Sequence, residues 1–420
     1  MFLDVIRRRN PALIEQAITL HQAGAIPANS YVIDLDAVTA NARRLQDAAQ
    51  RAGLKVFAMT KQMGRNGDFC RAVKAGGIGR AVAVDMECAR ACTQAGLKLG
   101  HLGHLVQVPR HEAAAASSMA PEYWTVFNLE KAAEAATAAM VHGRRQNLLA
   151  RLHAPGDRFY AGHEGGFEAE SVATVADALD RLEGGRFAGV TTFPALLFDH
   201  ASGAVRPTPN LATLARAVEA LHRSGRRGIE VNAPGTTSSD TLQMLASHGA
   251  TQVEPGHGLT GTTPLHAVRD LPELPAVCYV SEVSHCHAGR AYCFGGGLYI
   301  DPVFPDYEVK AVVGSSPDDA RAALRPIHIP PPSAIDYYGM IGGANGVRVG
   351  DTVVLGFRPQ AFVTRAYTVG LTGVAGSRAT ACGIHDVFGH LADWPGSAWC
   401  ANQASGRSRP SPARGQAVRA

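Results

Sequence analysis

The sequence predicts an α/β fold in which a (β/α)8 TIM-type barrel is followed by a C-terminal β-domain. Between residues 55 and 254, short apolar runs alternate with longer Ala/Leu-rich stretches of helical period, a pattern typical of parallel strands joined by helices. Eight such units over about 200 residues match the barrel architecture. Beyond residue 274 the chain is rich in Val, Gly and Tyr, with strand-like runs at 351–356 and 361–365, which favours a β-domain.

The chain of 420 residues exceeds what one hydrophobic core usually supports, so more than one domain is expected. We predict an N-terminal helical extension over 1–30, the barrel over 31–270, the β-domain over 271–390 and a disordered Ser/Pro/Arg/Gly-rich tail over 391–420. The predicted barrel strands are 55–60, 80–84, 102–107, 123–127, 148–153, 187–192, 229–232 and 251–254. The main predicted helices are 86–95, 129–142, 171–182, 211–223 and 240–248.

Composition and charge exclude several classes of protein. The net charge of +4 comes partly from the arginines after Trp394, so the folded part is nearly neutral. Its charge therefore gives no indication of nucleic-acid binding. The eight cysteines form no CxxC pair, which indicates a reducing compartment.

The histidine pairs His101/His104 and His285/His287 are candidate metal ligands. The pair His285/His287 lies on one face of a strand without further ligands, and we expect no bound metal. Without a signal-peptide pattern or an apolar run of roughly 18 residues, we expect a soluble cytoplasmic protein with no membrane partner.

Chemically useful residues stand where three of the predicted strands end, the place where such barrels keep their active sites. Lys61 follows the first strand, where the barrel wall can desolvate its amine and favour the nucleophilic form. The seventh strand runs into residues 232–238, NAPGTTS, which suit phosphate binding, and the eighth into 254–258, EPGHG. Either loop alone is more often a simple turn. Together with Lys61 they describe a site for pyridoxal 5'-phosphate (PLP).

These motifs resemble the fold-type III PLP enzymes, the alanine racemase and ornithine decarboxylase group, and most closely their YhfX-like branch. The likeness rests on residues 31–36, YVIDLD, on 57–61, FAMTK, and on the two loops. It implies an amino-acid substrate, a Schiff base between PLP and Lys61, and a head-to-tail homodimer whose β-domains complete the sites. The residues that it implies around the cofactor are Lys61, Thr192, Asn232, Gly235, Thr236, Thr237, Glu254, Gly256 and His257.

The resemblance leaves the reaction open. A carboxylate at Glu254, as in the decarboxylases, keeps the ring nitrogen of PLP protonated and makes a strong electron sink, whereas racemases have an arginine there. Racemases also use a tyrosine before a glycine as their second base. Phe294 stands at that place, so Tyr292, Cys293 or Tyr299 would take the role. We predict an amino-acid racemase, with a decarboxylase or lyase of the same fold and a PLP carrier protein as the alternatives.

Four further residues are predicted to contact the substrate. They are Arg65, Arg151, His153 and Asp336. The first three offer charged donors near strand ends, although each also suits a structural salt bridge, and the fourth stands where decarboxylases have a Cys-Asp substrate motif. Thr192 replaces the histidine that relatives stack on the cofactor ring. The His-x-Cys zinc pair of some D-amino-acid lyases is absent from the corresponding stretch, 358–362.

Overall fold

The computed structural model of the protein describes residues 1–376 and 378–395. Two helices come first, Phe2–Arg9 and Pro11–Gln22. Most of the predicted disordered tail, residues 396–420, lies outside the described residues. Just before it, Trp394 donates its indole N–H to the carbonyl of Gly24 at 2.9 Å. Within the described chain, no helix combines the length and the apolar character that a membrane span requires.

The first sheet is the predicted parallel barrel, and it is nearly closed. Its strands are Lys55–Val56, Ala58–Met59, Arg80–Ala83, Lys98–Leu102, Tyr123–Val126, Gln146–His153, Gly185–Thr191, Glu230–Asn232 and Gln252–Val253, with Phe167–Glu168 paired to the end of Gln146–His153. One extended segment joins the two ends of the sheet, because Val56 pairs with Val253 of the last strand while Ala58 pairs with Ala81 of the next. The carboxyl ends of the parallel strands therefore meet at one mouth.

The third strand of the barrel differs from the prediction. It spans Lys98–Leu102 rather than residues 102–107, and the chain leaves the sheet at Gly103, whose φ of 76° lies in the left-handed region that glycine adopts readily. The sequence repeats Leu-Gly-His at 99–101 and 102–104, so alternating apolar residues fit either register. The correction places His101 inside the strand and His104 just beyond its end.

Helices connect the barrel strands and begin at side chains that cap them. The helices after the first two are Leu35–Arg51, Gly67–Ala75, Met86–Gln94, Ala113–Ser118, Leu129–Met140, Val172–Arg181, Pro209–Arg223, Leu242–Ser247 and Pro264–Val268. Asp34, Asn66, Asp85 and Asn128 each accept a hydrogen bond from the backbone N–H three residues later, which satisfies a donor that the first turn leaves free. These caps fix where the chain turns from strand to helix.

The second sheet is the β-domain. Its nine strands are Ser30–Asp34, Val277–His287, Arg290–Phe294, Lys310–Gly314, Arg325–His328, Tyr338–Ile341, Thr352–Leu355, Tyr367–Thr372 and Thr380–His385. Although the predicted boundary places residue 31 in the barrel, Ser30–Asp34 lies in this sheet, antiparallel to Val277–His287 and parallel to Tyr367–Thr372. The chain thus starts in the β-domain and returns to it after the barrel. A separate hairpin, Leu196–Asp199 with Ala204–Pro207, follows the strand Gly185–Thr191.

Apolar burial joins the helical extension to the β-domain. Ile14 and Ile18 of the second helix are fully buried in one cluster with Val280, Val354 and Val369 of the sheet. Burying such side chains stabilises each by about 1.5–3 kcal/mol relative to exposure. The extension is therefore part of the folded body and supports the sheet from the side opposite the barrel.

Candidate active site

A cavity of about 250 Å³ opens at the mouth of the barrel and is bounded on one side by the β-domain. The predicted residues that line it are Lys61, Gly235, Thr236, Thr237, Glu254, Gly256 and His257. They come from the ends of the first, seventh and eighth barrel strands, as the strand-end rule requires. Tyr299, one of the alternatives for the second base, also lines the cavity. The cavity walls further contain residues to which the sequence analysis gave no catalytic or binding role, namely Gln62, His104, Tyr160, His163, Arg358 and Gln360.

Lys61 begins a short 3-10 helix, Lys61–Met63, directly after the strand Ala58–Met59. Burial lowers the pKa of its amine, and the positive charges of Arg358 and Arg65 add to that effect against the opposing influence of Cys88 and Asp85. Its Nζ lies 4.6 Å from the centre of the Phe362 ring, on the β-domain side. A lysine amine of lowered pKa is more often neutral and hence nucleophilic.

Glu254 is buried and held by a hydrogen-bond network behind the cavity. Its Oε1 lies 2.5 Å from Nδ1 of His101 and accepts a hydrogen bond from Asn232 at 2.9 Å. Nε2 of His101 lies 2.6 Å from the Thr125 hydroxyl. Burial favours the neutral acid, but the nearby histidines and these hydrogen bonds outweigh it, so the pKa of Glu254 lies below its usual range. The group is thus a carboxylate whose other oxygen is left for a ligand.

That second oxygen, Oε2 of Glu254, has no hydrogen-bond partner among the described residues. The closest ionisable neighbour is Nε2 of His104, at 3.5 Å, and both ring nitrogens of His104 lack partners as well. Burial lowers the pKa of His104 to about 3, against the pull of Glu254, so this ring is neutral. A buried carboxylate oxygen that faces the cavity without a partner fits the protonated ring nitrogen of PLP, because such groups are costly unless paired.

The loops after the seventh and eighth strands fit the phosphate of the cofactor. A Cβ added at Gly235 would stand 2.6 Å from the backbone nitrogen of Leu196, and one added at Gly258 would stand 2.6 Å from the carbonyl of Thr237. Side chains at these places would therefore clash with backbone, which restricts both positions to glycine, the residue typical of loops that bind phosphate through their backbone. Nε2 of His257 lies 2.8 Å from the carbonyl of Pro359, which ties the eighth-strand loop to the β-domain.

Two residues assigned to the cofactor lie behind the cavity wall. Asn232 donates to Glu254 and accepts from the hydroxyl of Thr191, so it orients the carboxylate. Thr192 is buried and accepts a hydrogen bond from Asn210. The ring that lines the cavity next to it is Phe193, at 5.6 Å from the ring of His104.

The residues predicted to contact substrate through charge are engaged elsewhere in the chain. Arg65 pairs with Asp85 at 2.7 Å and donates to a backbone carbonyl of the C-terminal segment. Arg151 is 1 % exposed and donates to the carbonyls of His104, His163 and Phe193. It thus supports three cavity residues without lining the cavity itself.

His153 and Asp336 also lie outside the cavity. Nε2 of His153 is 3.7 Å from a carboxylate oxygen of Glu168. Asp336 accepts backbone hydrogen bonds from Gly296 and Leu298 and pairs with Arg365 at 2.9 Å. Its contacts within this chain hold a loop of the β-domain.

The two residues predicted as the second base lie on a β-domain strand. The ring of Tyr292 stacks on that of His285, with centroids 4.6 Å apart. Cys293 is fully buried, and burial raises the pKa of its thiol to about 11. Neither lines the cavity of the same chain.

Three ligand-bearing side chains, those of His101, His104 and Glu254, come within 4.8 Å of one another. One oxygen of Glu254 is already bonded to His101 and Asn232, and His101 uses its other nitrogen on Thr125. The partner-free atoms of the group are therefore Oε2 of Glu254 and the nitrogens of His104, fewer groups than the protein ligands of an ordinary zinc site.

Comparisons with known proteins agree with this fold. The family description "Alanine racemase, N-terminal domain" matches residues 33–264, and "YhfX-like, C-terminal domain" matches 278–380. The YhfX protein of Escherichia coli (strain K12) is 39% identical over 390 residues, which cover 93% of this chain and 99% of that protein.

Solved structures share the fold at low sequence identity. D-threonine aldolase from Filomicrobium marinum has a TM-score of 0.63 at 16% identity, covering 87% of this chain and 96% of its own. D-threo-3-hydroxyaspartate dehydratase from Delftia sp. HT23 has a TM-score of 0.59 at 16% identity, with coverage of 86% and 97%. Alanine racemase of Clostridium difficile 630 has a TM-score of 0.58 at 14% identity, with coverage of 86% and 99%. The chain belongs to the fold-type III PLP-dependent enzymes, in their YhfX-like branch.

Proposed function

We propose that this protein is an amino-acid racemase that acts at Cα, with Lys61 as one of its two proton-transfer groups. The observation that carries PLP chemistry at Cα is the buried, partner-free Oε2 of Glu254 on the same cavity as Lys61, and the match of residues 33–264 to the alanine racemase N-terminal domain favours racemisation. When bound, PLP withdraws electrons from Cα of an attached amino acid, most strongly when its ring nitrogen is protonated. Glu254 holds that proton at Oε2, and Lys61 moves the Cα proton at Nζ.

Racemisation also requires a proton donor on the opposite face of Cα. Tyr160, His163 and Tyr299 line the cavity and carry ionisable protons. Burial lowers the pKa of His163 and raises the pKa of both tyrosines. Cys293 is a poor candidate because its thiol is enclosed in the β-domain, whereas Tyr292 remains a candidate only through the partner subunit of a dimer.

The reaction is tested by incubating the PLP-loaded protein with single-enantiomer amino acids in D2O and separating the products on a chiral column. The expected product is the opposite enantiomer with deuterium at Cα, lost in Lys61→Ala and retained in Arg223→Gln, a control at an exposed helical arginine. Amine and CO2 would instead identify a decarboxylase, and side-chain cleavage or elimination a lyase. If no amino acid exchanges its Cα hydrogen, the protein is a PLP carrier.

We also propose a homodimer. The β-domain exposes a group of large apolar side chains near Asp336, and a partner subunit would remove them from water. The group consists of Phe294, Ile300, Ile335, Tyr337 and Tyr338. Tyr337→Glu should shift the sedimentation of the protein to that of a monomer, while Val141→Glu, an equally exposed apolar position on the barrel, should not. Monomeric wild-type protein would contradict the proposal.

We also propose that the protein is located in the cytoplasm. Seven cysteines of the described chain are free thiols, five of them buried, a state that a reducing compartment preserves. Fractionation of cells that express a tagged chain tests it. Recovery with secreted or membrane fractions would contradict it.

A further inference from the structure

The guanidinium of Arg358 forms part of the cavity wall on the β-domain side. Its side chain is 17% exposed, and Nη1 lies 3.0 and 3.1 Å from the two carboxylate oxygens of Asp301. Asp301 is 2% exposed and is itself fixed by the backbone N–H of Val303. The guanidinium is therefore held in one orientation before any ligand arrives, which reduces the entropy lost on binding.

Arg358 retains hydrogen-bonding capacity after this ion pair. Its Nε is buried without an acceptor among the described residues, and Nη2 makes no hydrogen bond within them. Gln360, two residues further on, also lines the cavity, and its Oε1 is buried without a donor. Such groups are normally satisfied, so a polar ligand in the cavity can accept a hydrogen bond from Arg358, whereas Oε1 of Gln360 is open to a donor.

The charges of the other cavity residues leave Arg358 as the cation for a substrate. Lys61 would hold the cofactor, and Glu254 would pair with its ring nitrogen. Burial lowers the pKa of His104, His163 and His257, so these rings are neutral near pH 7. Among the residues that line the cavity in the described chain, Arg358 is the one arginine, because Arg151 lies behind the wall.

We propose that Arg358 forms a subsite that binds a carboxylate of the amino-acid substrate. The forked donors of a guanidinium match the two oxygens of a carboxylate. Asp301 orients the guanidinium and offsets part of its charge, so the subsite can release its ligand. This inference rests on the proposed function, in that the substrate is an amino acid, and it applies to racemisation and lyase chemistry alike.

Binding to the PLP-loaded protein, measured by calorimetry, tests the subsite without relying on turnover. The ligands are alanine, its amide, which lacks the α-carboxylate, and aspartate, which carries a second one. In Arg358→Gln, the dissociation constant for alanine should rise about tenfold to a hundredfold, the usual worth of a hydrogen bond to a charged group, while that for the amide stays unchanged. If only aspartate loses affinity, the carboxylate bound is that of the side chain.

Further variants separate the subsite from other roles. Arg358→Lys keeps the charge and should restore part of the affinity, and Arg223→Gln should match wild type. Equal losses for acid and amide, or a weaker hold on PLP with unchanged ligand binding, would overturn the proposal and assign Arg358 to the cofactor. If wild type binds no amino acid, the proposed function fails. Succinate then tests the subsite alone, and its equal binding to wild type and Arg358→Gln would overturn it.

Discussion

Replacing His101 by phenylalanine should destabilise the protein by removing the partner of a buried carboxylate. The ring of His101 is fully buried, with Nδ1 at 2.5 Å from Glu254 and Nε2 at 2.6 Å from Thr125. Phenylalanine fills a similar volume but makes neither hydrogen bond. The substitution therefore isolates the polar contribution of the ring from its packing.

The expected loss follows from the two hydrogen bonds. A hydrogen bond to a charged group contributes about 1.5–3 kcal/mol and a neutral one about 0.5–1.5 kcal/mol. Their sum, about 2–4.5 kcal/mol, approaches the 3–5 kcal/mol that breaking a buried ion pair typically costs. Glu254 keeps the hydrogen bond from Asn232 and can take up a proton, which limits the penalty, so we expect about 3 kcal/mol.

Urea unfolding of the protein without cofactor measures this loss, and a double-mutant cycle with Glu254→Gln assigns it. Because the charge is gone in Glu254→Gln, the same His101→Phe change should cost at least about 1 kcal/mol less there. His248→Phe, at an exposed helix end, is the control for the side-chain exchange. Additive effects of the two substitutions would refute the assignment of the loss to the His101–Glu254 contact.

Three further predictions concern the cavity. Gly235→Ala should weaken PLP binding and lower stability more than Gly256→Ala does. The new Cβ meets the backbone of Leu196 in the first variant and only the side-chain end of Gln62 in the second. Fluorescence titration with PLP and thermal unfolding check this difference. Burial lowers the pKa of His104 from 6.5 to about 3. Its contribution to stability is therefore complete above pH 6.5 and is lost as the pH falls toward 3, by up to about 5 kcal/mol. His104→Asn should reduce this loss of stability at acid pH, measured as the free energy of unfolding against pH. The rate at which Lys61 captures PLP should rise with pH as its amine loses a proton. Because the pKa of Lys61 is lowered, the midpoint of this rise should lie at a lower pH than for an ordinary lysine.

The fold and the position of the candidate cavity could be predicted because they depend on local patterns. Apolar periodicity indicated the barrel, and the ends of three strands carried Lys61 and the two loops. The third strand was misplaced because the Leu-Gly-His repeat fits two registers, and only the backbone at Gly103 decides between them. The pairing of Ser30–Asp34 with Val277–His287 joins residues some 250 positions apart, a contact that no local pattern reports.

The residues that face the cavity from the β-domain were harder to predict than those of the barrel. Arg358 and Gln360 reach the cavity through the packing of one domain on the other, so no strand-end rule marks them. The signal available in the sequence was that residues 358–362 lack the His-x-Cys zinc pair. That difference does not indicate what Arg358 and Gln360 bind instead. Long-range packing, rather than local chemistry, determines this half of the site.

The two arginines illustrate why residue type near a strand end does not determine a role. Arg151 stands where the strand-end rule predicts a substrate contact, yet its donors go to three backbone carbonyls, which would otherwise be buried without partners at considerable cost. Arg358 has a carboxylate partner but keeps Nε without an acceptor in the described chain. Nε of Arg151 also lacks an acceptor among the described residues, but Arg358 lines the cavity and Arg151 does not. An unused donor serves a ligand where its side chain reaches the cavity, and that criterion favours Arg358 as the substrate anchor.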